Sequence, residues 1–533
     1  MKKKGKLIAL ILVCVFAMTL LAACGNGTTP ATPDAPAAGN GAGGGQDAGG
    51  GDAATPVDPE QVLSLHISQD SGTLNPLNMT GGFTSARYLF YEPLWNLLDD
   101  GSFRWVLATG IDTISDVQHT LHLRQGVTFS NGNPFTAADV IFSLEANRDH
   151  PQAFANVRTI DFDNTSIIDD YTIDLWFTMF DIAQKISLAH MMVMNEASFD
   201  DVALSRDPIG TGPYVLVDYV VNSHLSVTAR EGYWGNPPRT RNLMFRVINE
   251  EAQIVNALET GLVDFANIPI TDADYVESLG LNVEVIPSMF NLVAMYSMLP
   301  GNPLDTKEAR WAVSHAIDRD AINHVLFRGR TTISDFPGSI AGPDFEERFL
   351  FPHETYSIGF SPERARELAE YSGLVGQTLR LITNGSPQHN TIAEIIQANL
   401  SDIGVYANII SFDMATYFGI LMDASNFEIA IFMPSAPTNM VASVLAGYLG
   451  IIPQGWSGYY FDYYRALSAR ALRDIDPEDR REALYQSVYM FAEWAPWFGL
   501  VESITVSAMV PELRGVQRTL ANTLVFEYLY LVG

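Results

Sequence analysis

Cysteine is nearly absent from this 533-residue chain, which has only Cys14 and Cys24. A body without thiols excludes disulfide staples, thiolate metal sites and cysteine nucleophiles. Lysine is almost as scarce. Beyond Lys2, Lys3, Lys4 and Lys6 only Lys185 and Lys307 occur, and the other basic residues are arginines, which favour fixed bidentate pairs over mobile point charges. Positive charge as a whole is short, with 31 basic residues against 61 acidic ones for a net charge of −30, so nucleic acid is a poor partner. Catalytic motifs are missing as well. His353-Glu354 has no histidine four positions after the first, Gly455-Trp456-Ser457-Gly458-Tyr459 lacks the last glycine of a nucleophile elbow, and neither internal lysine follows a glycine run that would make a P-loop. No catalytic residue, cofactor or metal is therefore expected. His190, Met192 and Met194 would share one face of a strand and offer soft ligands, but an apolar core strand is the simpler reading.

What is present begins at the amino terminus, where four lysines precede an apolar run, Leu7 to Leu20, and Leu21-Ala22-Ala23-Cys24 follows. A positive start, an apolar segment of roughly 14 residues that is too short to span a bilayer, and small residues at its end read as a signal peptide, 1–23. Leu-Ala-Ala-Cys resembles the bacterial lipobox, which implies cleavage before Cys24 and a lipid on its sulfur, a tether to the extracytoplasmic face of the cell membrane. Removal of the four lysines takes the net charge from −30 to −34. Residues 25–56 are Gly, Ala, Pro, Thr, Asn, Asp and Gln alone. With nothing apolar to bury, 24–60 is expected to be a disordered leash reaching about 30 Å.

The rest is too long for one ordinary core, so two or more lobes are expected. Val62 to Ile67 alternates as a strand that opens onto a loop through Asn75-Pro76, and Ser85 to Leu98 carries Tyr88, Tyr91, Leu94, Trp95 and Leu98 at helical spacing. Between about 100 and 205 the pattern is a small antiparallel unit with a capping box at Thr136 and Asp139 opening a helix from Ala137 to Asn147. A hairpin follows (Tyr214 to Val220, Leu225 to Arg230), then a βαβ unit from Asn242 to Ala266 with Gly261 ending its helix. A second alternating set starts with a helix from Asp305 to Val325 and continues through Thr378 to Thr383, His389 to Asp402, Val405 to Ile410, Met414 to Asp423 and Phe427 to Phe432. A helix from Pro477 to Phe491 precedes strands Trp497 to Val506 and Leu524 to Leu531, which carry the chain back to the first lobe. A lobe entered and left by two strands is hinged.

The run Leu123-Arg124-Gln125-Gly126-Val127-Thr128-Phe129-Ser130-Asn131-Gly132 through Phe135-Thr136-Ala137-Ala138-Asp139 to Glu145 resembles the signature of the extracellular solute-binding protein family 5, the oligopeptide, dipeptide and nickel binders of ABC importers. Gly210-Thr211-Gly212-Pro213-Tyr214, Ala257 to Asp264, and Pro303-Leu304-Asp305 through Arg310 to Arg319 match it in the same order. The resemblance implies an α/β chain with the two-lobed type II periplasmic-binding-protein fold. Lobe I would comprise 61–98, 206–292 and 500–533, with 99–205 as an extra small α+β subdomain; lobe II would be 293–499, joined by two crossing strands. It also implies a monomer that closes on a solute and delivers it to membrane permease subunits, and no enzyme.

Peptide binders of this family usually place a Trp and an Asp after the strand corresponding to Phe427 to Phe432, the Asp holding the peptide's ammonium. Here neither follows, so that anchor is absent or relocated. A cleft lined from loops and crossing strands points to Asn75, Asn78 and Phe83 on the first lobe, Tyr296 at the crossing, and Phe432, Met433, Trp456 and Tyr459 on the second, the aromatic rings giving large contact area at low entropy cost. An oligopeptide is the first expectation for the solute, with an oligosaccharide or a nickel chelate as alternatives. A secreted hydrolase or a surface adhesin or sensor would be a different class on the same sequence.

Overall fold

The computed structural model describes residues 60–78, 85–97, 102–151, 153–333, 336, 342–350, 356, 358–423, 425–434, 440–451, 459–519 and 523–532. The leader, Cys24, most of the leash, Phe83 and Trp456 lie outside them. None of the described helices is long and apolar enough to cross a membrane.

One ten-stranded sheet runs through the molecule. From edge to edge it holds Tyr406–Ser411, Thr378–Thr383, Ile429–Phe432, Asn282–Tyr296, Trp497–Met509, Phe265–Asn267, Val62–Ile67, Asn242–Val247, His224–Ala229 and Tyr214–Val220. The two long central strands are antiparallel to each other and belong to both lobes. Alternation then sorts side chains to two faces. In the first lobe Leu63, Leu65 and Ile67 join Leu243, Phe245 and Met509 on one side, while Ala266, Val506 and Ala508 meet the helix Glu251–Glu259 on the other. In the second lobe Leu292, Ala294, Ile429 and Ile431 pack under Lys307–Ala316 and Pro387–Asp402, and Val293, Met295, Ala430 and Phe432 face the carboxyl-terminal helices.

A separate four-stranded sheet, Ala108–Thr113, Gln118–Leu123, Thr172–Trp176 and Ser166–Asp169 in that order, closes over Val140 and Leu144 of the helix Ala137–Asp149. Its capping box forms, with Asp139 Oδ2 accepting the Thr136 N–H at 2.9 Å.

Three sequence expectations are corrected. The helix over 85–98 survives as one turn, Arg87–Phe90. Pro93 has no N–H to donate and drives its predecessor out of the helical region, and Trp95–Leu97 pairs with Phe103–Trp105. The single helix over 305–325 is two, Lys307–Ala316 and Arg319–Phe327, because Asp318 caps the second by accepting the Ala321 N–H at 2.9 Å. Leu524 to Leu531 is a 3-10 turn, Phe526–Tyr528, and a two-residue strand paired with Leu513–Arg514.

Candidate functional site

Strand direction locates the site. Phe265–Asn267, Val62–Ile67 and Asn242–Val247 are mutually parallel. Since Phe265–Asn267 and Asn282–Tyr296 both run against Trp497–Met509, all of them advance towards the second lobe. There Ile429–Phe432 runs against Asn282–Tyr296, and Thr378–Thr383 and Tyr406–Ser411 run parallel to Ile429–Phe432, so the second lobe's strands advance back towards the first. Two sets of carboxyl ends therefore converge on the middle of the crossing pair, the place where open α/β sheets bind ligands.

That middle is irregular. The first crossing strand passes from Pro287 to Asn291 while its partner advances only from Ile504 to Glu502, and the partner then inserts Leu500 between Val501 and Gly499. Such bulges bend and twist a ribbon locally, here where the chain crosses between the lobes.

The lobes also touch away from it. The Ile182 N–H of the extra unit donates to the Leu472 carbonyl at 3.0 Å, the Arg480 guanidinium lies 5.1 Å from the Phe180 ring centre, and Met440 packs on Ala183 and Ile186. On another flank Arg330 pairs with Asp274 and, at 3.5 Å, with Glu277. These contacts hold the two jaws together in the described conformation.

The residues singled out from the sequence fall in different places. Asn75 is fully buried. Its amide donates to Asp201 Oδ1 at 2.6 Å and its Oδ1 accepts the Leu77 N–H at 3.0 Å. Asn78 Oδ1 accepts from His150 Nε2 at 2.9 Å, so both asparagines tie the first loop to the extra unit. Tyr296 is buried, its hydroxyl 2.8 Å from Ser314 Oγ. Phe432 is in the core opposite Val293, whereas Met433, one residue past the strand end, is 40% exposed. Tyr459 opens the helix Tyr459–Arg473. His190 to Met194 forms no regular strand, and Met191, Met192, Val193 and Met194 are buried.

Sequence reading missed a polar cluster at the second lobe's strand ends. Thr383 Oγ1 donates to Asn390 Oδ1 at 2.6 Å, and Ser411 Oγ stands 3.0 Å from both. The signal was there in Asn384-Gly385-Ser386-Pro387, a turn with a left-handed glycine (φ +76°) and a serine cap. It also missed Glu502, the lone charge in the apolar run from Trp497 to Val501 and beyond.

Electrostatics separate the site from the scaffold. Asp344 accepts the Val441 and Ala442 N–H groups at 2.6 and 2.9 Å, fixing the start of the helix Val441–Ile451, and burial pushes its carboxyl up to about 6. Glu92, at the join of the first lobe and the extra unit, is pushed by burial from 4.5 up to about 7, against hydrogen bonds from Tyr233 (2.6 Å) and Trp234 (2.8 Å). A carboxyl raised in the folded state binds its proton more tightly there than in the unfolded chain. Its stabilisation is complete below pH 4.5 and is lost as pH rises through about 7. At 1.36 kcal/mol per unit the loss is roughly 3 kcal/mol. Glu92→Gln, which stays neutral, is expected to unfold at higher denaturant than the parent at pH 8 and at a similar concentration at pH 5. A variant no more stable at pH 8 would show that Glu92 is ionised at little cost.

Comparison with known proteins agrees with this geometry. The family model for bacterial extracellular solute-binding proteins, family 5 middle, matches residues 103–470. The glutathione-binding protein GsiB of Salmonella typhimurium is 26% identical over 495 residues, 87% of this chain and 93% of that one. The heme-binding protein A of Haemophilus influenzae is 24% identical over 469 residues, covering 79% and 80%. Among solved structures, the ABC transporter substrate-binding protein CtaP of Listeria monocytogenes superposes with a TM-score of 0.79 at 21% identity, over 89% of this chain and all of that one. Two lobes whose parallel strands end at a shared pair of crossing strands are the type II periplasmic-binding-protein architecture, and the chain belongs to the bacterial extracellular solute-binding proteins of family 5, the binding components of ABC importers.

Proposed function

We propose that the chain captures an oligopeptide between its lobes and hands it to the membrane subunits of an ABC importer. The observation that carries this is the convergence of both sets of strand ends on the irregular crossing pair, which leaves a solute to be gripped from two sides. A relative named for glutathione, itself a small peptide, favours that solute class. In this reading 61–98, 206–292 and 500–533 form one jaw carrying the extra unit 99–205, and 293–499 forms the other. The proposed solute contacts are Met433, Phe83, Trp456 and Tyr459, while Asn75, Asn78, Tyr296 and Phe432 hold the walls that shape the cleft. A lipid on Cys24 tethers the monomer to the extracytoplasmic face of the membrane.

Closure carries the signal, because a permease that contacts both jaws binds the shut form better and so selects loaded receptors. The purified chain, stripped of bound solute by mild unfolding and refolding, is expected to contract in small-angle scattering on adding a mixture of tri- to nonapeptides. The Ile182–Leu472 and Phe180–Arg480 contacts belong to the contracted form. Contraction with haemin or a nickel–histidine complex, and none with peptides, would overturn the peptide reading.

A further inference from the structure

Five acidic residues among those described have almost no exposed surface: Glu92, Asp139, Asp181, Glu428 and Glu502. Four have donors aimed at them. Tyr233 and Trp234 serve Glu92, the Asn195 amide and the Glu196 N–H serve Asp139 at 3.0 Å each, the Ala183 N–H serves Asp181 at 2.8 Å, and Arg380 serves Glu428 at 2.6 Å.

Glu502 is different. It is 4% exposed, and its Oε1 is buried with no hydrogen-bond partner among the described residues. Burial pushes its carboxyl up, and no charge among the described residues opposes this. Its backbone is held on both sides, the N–H donating to the Thr332 carbonyl at 2.8 Å and the carbonyl accepting from the Thr331 hydroxyl, so the strand cannot slide to relieve it. It stands opposite Asn291 at the break in the crossing pair, where the strand ends of both lobes converge. Asn291 is committed elsewhere, its amide donating to the Phe336 carbonyl at 3.0 Å.

A buried carboxylate without a counter-charge costs several kcal/mol, and the sequence around it, Trp497 to Val501, is apolar. An apolar residue would serve the fold better at that position. We propose that Glu502 recognises a cationic group of the solute, a protonated amine or a guanidinium. The missing charge partner arrives with the ligand and is desolvated with it, which makes a charge-assisted hydrogen bond stronger than one in water. A metal ion is the poorer occupant, because no group of three or more His, Cys, Asp or Glu capable of holding one exists among the described residues. The strongly negative chain would steer cations towards the cleft in the same sense. The inference rests on the receptor reading above and specifies the charge of its solute.

Calorimetry on the parent and on Glu502→Gln tests it with four probes: trialanine, acetyl-Ala-Lys-Ala amide, acetyl-trialanine amide and spermidine. The parent is expected to bind at least one cationic probe ten-fold or more tighter than the neutral acetyl-trialanine amide, and Glu502→Gln to lose that margin while holding the neutral probe unchanged. A loss confined to trialanine identifies the backbone ammonium as the group read, and a loss confined to the lysine probe identifies the side chain. If spermidine alone binds and the variant loses it, the cation assignment stands and the peptide reading fails. Glu502→Asp, which keeps the charge and fits the same strand, should retain part of the margin and covers the case in which the glutamine variant does not fold. Cationic probes held no tighter than the neutral one, or an equal loss on charged and neutral probes, would overturn the proposal.

Discussion

Replacing Arg380 by methionine is expected to remove about 3 kcal/mol of folding stability, the lower end of the range for breaking a buried ion pair. The damage comes from Glu428. Its side chain is 6% exposed and depends on Arg380, which reaches it through Nη2 at 2.6 Å and through Nε at 3.1 and 3.2 Å. The arginine is itself 39% exposed, so water screens part of the attraction and the upper end of the range does not apply. Taking the cation away leaves an anion in the second lobe with only weaker donors, the Arg380 N–H and the Asn302 amide. Glu428→Gln combined with Arg380→Met should recover most of the loss, since the neutral pair carries no stranded charge. Urea unfolding measures both variants, and a single-variant loss below about 1 kcal/mol would mean that the pair is a surface bridge in energetic terms.

Gly210→Ala should cost as much or more, by a different route. A Cβ built on Gly210 would lie 2.0 Å from the Phe90 carbonyl oxygen and 2.8 Å from the Phe90 carbonyl carbon, and one on Gly212 would lie 2.6 Å from the Leu89 oxygen. These are backbone atoms, which cannot swing aside as a side chain would. The close approach is held by hydrogen bonds, Gly212 N–H to the Phe90 carbonyl at 2.9 Å and Ser130 N–H to the Gly210 carbonyl at 2.8 Å. Overpacking costs about 1–3 kcal/mol and occasionally more, and a backbone obstacle places this case at or above the top of that range. Gly419→Ala is the matched comparison. It lies inside the helix Met414–Asp423 with nothing within 4 Å of the added carbon, so alanine should stabilise there by up to about 1 kcal/mol. Equal stability for Gly210→Ala and the parent would show that the two segments separate freely.

The same close approach explains part of what the sequence revealed. Gly210-Thr211-Gly212 was legible as a motif, but the reason for its glycines lies about 120 residues earlier at Leu89 and Phe90, beyond the reach of any local pattern. Strands that alternate cleanly were readable to the residue, as with Val62–Ile67 and Thr378–Thr383, because a half-buried strand prints its period directly. The helical spacing of Tyr88, Tyr91, Leu94 and Trp95 misled, since Pro93 interrupts the ladder and a short hairpin captures Trp95. The helix Val441–Ile451 had no comparable signature, since it is apolar all round and shows no stripe; Tyr459–Arg473 has one in Tyr464, Leu467 and Ala471, which the sequence reading overlooked. The site was legible only as a region. The sequence pointed to loops and a crossing strand, and of the residues singled out there Asn75, Tyr296 and Phe432 are engaged inside the lobes. Glu502 carries its information through burial and through an Oε1 without a hydrogen-bond partner among the described residues, and neither can be read from a letter in a sequence.

The strand Trp497–Met509 lies between Asn282–Tyr296 and Phe265–Asn267 in the sheet, and both lobes include it. A nascent polypeptide therefore completes neither lobe's sheet until Trp497–Met509 has been made, and termination before residue 497 leaves two unclosed edges rather than one finished domain. The two lobes thus share their last step of assembly, and neither can mature ahead of the other.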